Sequence, residues 1–383
     1  MVRKAPMKNK HNLQVLLIIL LAILLTNLVF TLGCSKEEPV IIGFIGGLSG
    51  RVADLGISGR NGAILAIEQR NSHGGINGQP VHLITMDDKQ DKDIATSAFT
   101  SLLNQNVKAV IGHMTSSMSI VTVPLANKQR IIMLSPTSTT TYLKNLDDYF
   151  FRVCATTDTY GTEMARYFRN VKKLDEISVI YDLSNKAYTE SWIHHFSEEF
   201  TKLGGEIVKT VTFTSGPETH FTEIAQQTLE NKTQGIIISS SAIDTAMICQ
   251  QIRKMNTTIP IGTSEWASTE KLINLGGNAV ENVVISQFFD RSSTNPRYIK
   301  FRKEFKTRFG QDPGFASVGG YDATNVVLDA LAQKEKNQDL KQIILNVGSF
   351  HGIQGKITFN KFGDSNRKTY RSIIQNGKFV KTE

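Results

Sequence analysis

The chain has 383 residues, 40% of them hydrophobic, which is enough for a sizeable core and favours two domains over one. Lys and Arg number 43 against 35 Asp and Glu, but Arg3, Lys4, Lys8 and Lys10 precede Cys34 with no acidic residue before it, leaving 39 basic against 35 acidic side chains in the rest. This near balance, with Lys89 and Lys92 interspersed among Asp87, Asp88, Asp91 and Asp93, excludes the long cationic stripe of a nucleic-acid-binding protein.

In chain order, a basic segment (residues 1–12) leads into the apolar stretch Leu13 to Phe30 and then Thr31-Leu32-Gly33-Cys34, the layout of a secretory signal. The stretch approaches the length of a membrane-spanning helix, so an uncleaved anchor is the alternative. Gly33 before Cys34, followed by the polar run Ser35 to Glu38, resembles a bacterial lipobox in which Cys34 is acylated and the preceding 33 residues are removed. Thr31 stands where such a motif usually has Leu.

From Pro39 onward, β-branched runs alternate with amphipathic helical segments, which predicts an α/β fold of mostly parallel sheets flanked by helices. Val40–Ile45, Val81–Met86, Ala109–Gly112 and Ile131–Leu134 are predicted strands of a first sheet. Ile177–Asp182, Glu206–Val208, Gly235–Ile238 and Val283–Ser286 belong to a second. A long helix over Ala316–Gln333, then Gly355–Phe359 and Tyr370–Ile374, leave too little chain for a third domain, so the chain is expected to recross between two lobes. Of the remaining cysteines, Cys154 sits in a strand-like run and Cys249 in a helical one. They share no metal-ligand spacing, and two buried free thiols are expected, a disulfide being the alternative.

Ligands of open α/β sheets bind beyond the carboxyl ends of the strands. Two hydroxyl-rich loops stand there, Met114-Thr115-Ser116 after the third strand and Thr137-Ser138-Thr139 after the fourth, each leading toward a helix N-terminus suited to a carboxylate. One such loop alone reads better as ordinary helix capping; two on adjacent strands weigh equally as a site. From the second sheet come Tyr188 and Glu265, an aromatic and a carboxylate that suit an ammonium group, although a surface Glu beside a packing Trp266 is the plainer reading of Glu265 alone. No catalytic arrangement is found: Gly43 to Gly50 fails the G-x-G-x-x-G spacing, G-x-S-x-G is absent, and His194 and His195 are adjacent on a helix and should splay apart. Neither a metal site nor a cofactor is expected.

Together, Gly43–Gly50, Gly74-Gly75-Ile76-Asn77-Gly78, Asp87-Asp88, Val110–His113, Ser135-Pro136 and Gly320-Tyr321-Asp322-Ala323 resemble the type I periplasmic binding proteins, in the branch that includes the leucine/isoleucine/valine-binding protein, from Val40 to Lys381. The resemblance implies two lobes, 39–158 with 288–352 and 159–287 with 353–383, joined by a three-crossing hinge near Asp158, Phe288 and Gly352. It implies that Ser116 and Thr139 hold an amino acid's carboxylate, with Thr139 and the Thr137 carbonyl near its amine. Glu265 would pair with the ammonium, Tyr188 would wall the pocket, and Met114 and Thr115 would line its floor. A pocket Tyr of the family is replaced by Leu55, a second expected near Ser241 is missing, and Gln90 and Thr115 occupy the positions of a family disulfide. The implied function is a non-enzymatic, monomeric, lipid-anchored extracytoplasmic component of an ABC importer. It would bind an amino acid, branched-chain or related, and deliver it to membrane permease subunits. A ligand-sensing receptor for an amino acid or small amide, regulating a partner protein, is the alternative.

Overall fold

A computed structural model describes residue 1 and residues 14–19, 38–335 and 337–382. Cys34 and most of the expected leader fall outside the described residues, among which no helix is long and apolar enough to cross a membrane.

Five strands form the first sheet: β1 (Val40–Gly46), β2 (Val81–Asp87), β3 (Val110–Ile111), β4 (Met133–Ser135) and β5 (Phe150–Arg152), all parallel in the order β2-β1-β3-β4-β5. Its central strands are apolar on both faces, as a sheet covered by helices on both sides requires: Ile42, Phe44, Ile45, Val110, Ile111 and Leu134 are all fully buried. The second sheet contains β6 (Glu176–Asp182), β7 (Glu206–Phe213), β8 (Gly235–Ser239), β9 (Ile261–Thr263) and β10 (Val284–Gln287), parallel to their neighbours. The hairpin β13 (Tyr370–Gln375) and β14 (Lys378–Thr382) extends it antiparallel from β10, giving the order β14-β13-β10-β9-β8-β6-β7. Strands β9 and β14 are additions to those predicted; β9 has three residues and β14 two charged ones, so neither produces a long apolar run.

The chain recrosses between the sheets as expected, but one segment attaches differently. Residues 353–369, assigned to the second lobe from sequence, stay against the first-sheet side. Strand β12 (Gly355–Thr358) pairs with β11 (Ser349–Gly352), Phe359 packs edge-on against Phe151 at 5.6 Å, and Gly363 accepts a hydrogen bond from the Arg152 amide. Two buried ion pairs hold this segment, Arg152 with Asp364 at 2.8 Å and Arg367 with Asp322 at 2.6 Å, and only from Tyr370 does the chain enter the second sheet. These pairs join residues 212 and 45 positions apart, links no local pattern reveals.

The helix Phe315–Ala332, also reached by recrossing, lies against the helix Ala53–Ser72. Their backbones approach so closely that a Cβ on Gly62 would lie 2.1 Å from the Ser317 carbonyl oxygen, and one on Gly320 the same distance from that of Gly59. Glycine is required at this crossing by space rather than by φ. Cys154 and Cys249 are free and buried, and burial pushes both thiols up to about 12.

Candidate functional site

The first wall of the interlobe cleft is built from the loops after β3 and β4. Thr115 takes an extended conformation as N-cap of the helix Ser116–Gln129. Its hydroxyl, though buried, has no hydrogen-bond partner, and such an orphan within a cleft is costly unless something else supplies the bond. The second loop is stitched to the first. Ser135 Oγ donates to the His113 carbonyl at 2.6 Å and accepts from the Ser138 amide at 2.9 Å; Thr137 Oγ1 donates to the Met114 carbonyl at 2.5 Å; and the Thr140 amide donates to Ser116 Oγ at 3.3 Å. From below, the buried Arg152 guanidinium donates to the Thr140 carbonyl at 2.8 Å. These bonds preorganise the hydroxyl-rich surface before any ligand arrives.

The opposing wall comes from the second sheet. Glu265 follows β9 in a single 3-10 turn, Glu265–Ala267, and Tyr188 lies in the first turn of the helix Lys186–Lys202. Tyr188 meets Trp266 edge to face at 5.7 Å, and its hydroxyl accepts a 3.4 Å bond from the Trp266 amide. Glu265 accepts from Thr139 Oγ1 across the cleft at 3.2 Å and from Trp192 Nε1 at 2.9 Å. All its partners are neutral, and among the described residues no Lys, Arg or His forms an ion pair with it. Burial therefore dominates: only 4% exposed, the carboxyl is pushed up from 4.5 to about 7, with the surrounding donors opposing the shift only in part. The same desolvation pushes the Tyr188 phenol well above its usual value.

Between these walls lies a narrow cleft of about 20 Å³, room for about one water molecule, so a ligand the size of an amino acid requires the two walls to part. Six of the residues singled out from sequence line it together: Met114, Thr115, Ser116, Thr137, Tyr188 and Glu265. Thr139 stands at its edge through the bond to Glu265. Ser138 does not face it: its fully buried hydroxyl is 2.6 Å from Ser119 Oγ on the helix Ser116–Gln129. Leu55, Asn185, Trp266 and Phe315 complete the lining. Asn185 and Phe315 had not been identified as site residues. Asn185 was findable as the residue before a helix start, whereas Phe315 arrives on a later crossing and carries no local signal. A larger open depression of about 420 Å³ is lined by groups that already have partners, Tyr321 bonded to Gln69 and Asp329 to Arg70 beside it.

The lobes meet across the cleft in several places. Arg51 pairs with Asp244 and donates to Ser215 at 2.8 Å; Thr269 donates to Asp54 at 2.6 Å; and the Ser117 amide donates to Asn185 Oδ1 at 3.1 Å. The structure is thus a closed one, with its unsatisfied hydroxyl and cation-free carboxylate sealed inside.

The sequence profile of the family described as periplasmic binding protein matches residues 39–373. The chain belongs to that family. Within it, the protein is of type I and of the Leu/Ile/Val-binding branch. It is 23% identical over 334 residues to the Leu/Ile/Val-binding protein of Escherichia coli K12, covering 86% of this chain and 89% of that one. Among solved structures, this periplasmic binding protein is similar to the leucine-binding protein LivK of Thermotoga maritima, with a TM-score of 0.83, 25% identity, and 90% and 98% of the two chains covered. It is also similar to a solute-binding protein of an ABC transporter from R. palustris solved with benzoate, with a TM-score of 0.81, 18% identity, and 90% and 95% covered. The family and the fold are those of exported substrate-binding proteins rather than of enzymes.

Proposed function

We propose that this protein binds an α-amino acid, branched-chain or related, in the interlobe cleft and delivers it to ABC permease subunits from a lipid anchor at Cys34. The observation that carries the reading is Glu265, a buried carboxylate with no cation beside it. A ligand ammonium would supply that missing charge. The ligand's carboxylate would meet the orphan Thr115 hydroxyl and Ser116 at the helix N-terminus opposite, where the macrodipole and free N–H groups favour an anion. Leu55, Met114, Trp266 and Phe315 leave apolar walls for an aliphatic side chain. The names of the relatives agree with such a ligand, while the benzoate-bound neighbour presents the contrasting possibility of a carboxylate lacking an amine.

Calorimetric titration with leucine, isoleucine, valine and benzoate separates the two. Binding of at least one of the amino acids in the micromolar range or tighter, with benzoate inert, is expected. Preference for benzoate, or no heat with any of the amino acids, would overturn the reading.

A further inference from the structure

His194 and His195 are on the helix Lys186–Lys202, away from the cleft lining. Adjacent helix positions point about 100° apart. The structure nevertheless brings the rings to 5.1 Å between centroids, and both turn toward the carboxylate of Glu198. His194 Nε2 lies 3.8 Å and His195 Nδ1 4.0 Å from Glu198 Oε2, and one ligand atom from each of the three residues falls within a 4.8 Å cluster. Tetrahedral zinc with bonds of about 2.0–2.1 Å holds its ligand atoms about 3.4 Å apart, so the two carboxylate contacts must close by roughly half an ångström and the widest separation in the cluster by up to about 1.4 Å, movements open to the exposed side chains of His194 and Glu198. Among the described ion pairs Glu198 has only the two imidazoles as partners, whereas the neighbouring Glu199 is held by Arg166 and Lys202.

The other nitrogen of His195 provides an independent indication. Its Nε2 is 3.1 Å from Thr141 Oγ1, and that hydroxyl is in turn 2.9 Å from Ser191 Oγ. A ring that donates its Nε2 proton to Thr141 presents the bare Nδ1 lone pair to Glu198 and His194. This is the tautomer a metal ligand needs, and a bond from Nε2 to Thr141 is the kind of outer hydrogen bond that metal-binding histidines use to hold it. Thr141 belongs to the first-lobe loop after β4, and His195 to the second lobe.

We propose that His194, His195 and Glu198 form a site for a divalent transition-metal ion at the seam between the lobes, with Thr141 as the residue that positions His195. Two imidazoles and one carboxylate suit Zn²⁺ and leave a fourth position for water, while Mg²⁺ and Ca²⁺ prefer all-oxygen sites. Because the positioning bond spans the lobes, the ion favours the closed form, and closure tightens the ion to the same degree.

The test is calorimetric titration of the untagged full-length chain with Zn²⁺, and with Mg²⁺ as control, independent of any amino acid. One Zn²⁺ site is expected that Mg²⁺ does not fill and that disappears in His194→Ala and in Glu198→Gln, both exposed positions where the fold should persist. Thr141→Val should weaken this site about tenfold, and Thr141→Ser should restore it. Zn²⁺ binding that is absent, or unchanged in the His194 and Glu198 variants, would overturn the site. An unchanged affinity in Thr141→Val would overturn the positioning role.

Discussion

Glu265 gives the proposed function a pH signature that can be worked out in advance. In the ligand-free protein its carboxyl sits at about 7 because burial disfavours the charge. An ammonium ligand binds the ionised form, so protonation competes with binding. At pH 8 about nine-tenths of the sites are ionised, and at pH 6 only about one-tenth. The dissociation constant should therefore weaken about tenfold from pH 8 to pH 6, or about 1.4 kcal/mol. At pH 7 about half a proton should leave the protein per ligand bound, measurable by calorimetry in buffers of different ionisation enthalpy. Glu265→Gln removes the titration, so its affinity should be flat over this range, and it should be weaker than wild type at pH 8 by about 2–4 kcal/mol. Folding shows the opposite sign. A carboxyl raised from 4.5 to about 7 contributes stability that is fully present below pH 4.5 and is lost as pH rises through 7. Ligand-free Glu265→Gln should therefore match wild type near pH 4 and exceed it at pH 8 by up to about 3 kcal/mol, a site that costs stability until its ligand arrives. Equal wild-type affinities at pH 6 and 8, with no buffer-dependent heat, would refute the argument.

Three further outcomes are expected. Gly62→Ala places a methyl against the Ser317 carbonyl and should destabilise by about 1–3 kcal/mol despite the better helix propensity of Ala, seen as a lower denaturant midpoint; an unchanged midpoint would show that the two helices can part freely. In a Cys34→Ser background, Cys154 and Cys249 should resist a thiol reagent at pH 8 in the native state and both react in guanidinium, whereas rapid native labelling would contradict their burial. Growth with a fatty-acid analogue should label the wild-type chain and not Cys34→Ser, and equal labelling of both would exclude the anchor.

Much of the architecture was legible because parallel strands buried on both faces are written as continuous β-branched runs, such as Val40–Ile45 and Gly235–Ile238. The cleft was legible in outline for a related reason. In such sheets the site follows the strand ends, so Met114 to Ser116, Tyr188 and Glu265 could be named from their place after a strand. The loop with Ser138 was misjudged in detail because composition does not say which hydroxyls turn inward; the bond from Ser138 to Ser119 decides that. Phe315 could not be found, since it reaches the cleft only on a later crossing.

The sequence by itself determined the class of fold, the two sheets and the identity of most cleft residues, because these depend on short-range periodicity and on strand ends. The tertiary structure decided what depends on partners far along the chain. Residues 353–369 stay with the first lobe because Arg152 and Asp322 would otherwise be buried without their counter-charges Asp364 and Arg367. Glu265 becomes a carboxyl poised near neutrality, rather than an ordinary surface acid, because Trp192 and Thr139 enclose it without bringing a positive charge. Likewise, two neighbouring histidines expected to diverge turn toward one carboxylate, with Thr141 from the other lobe bonded to the outer face of His195.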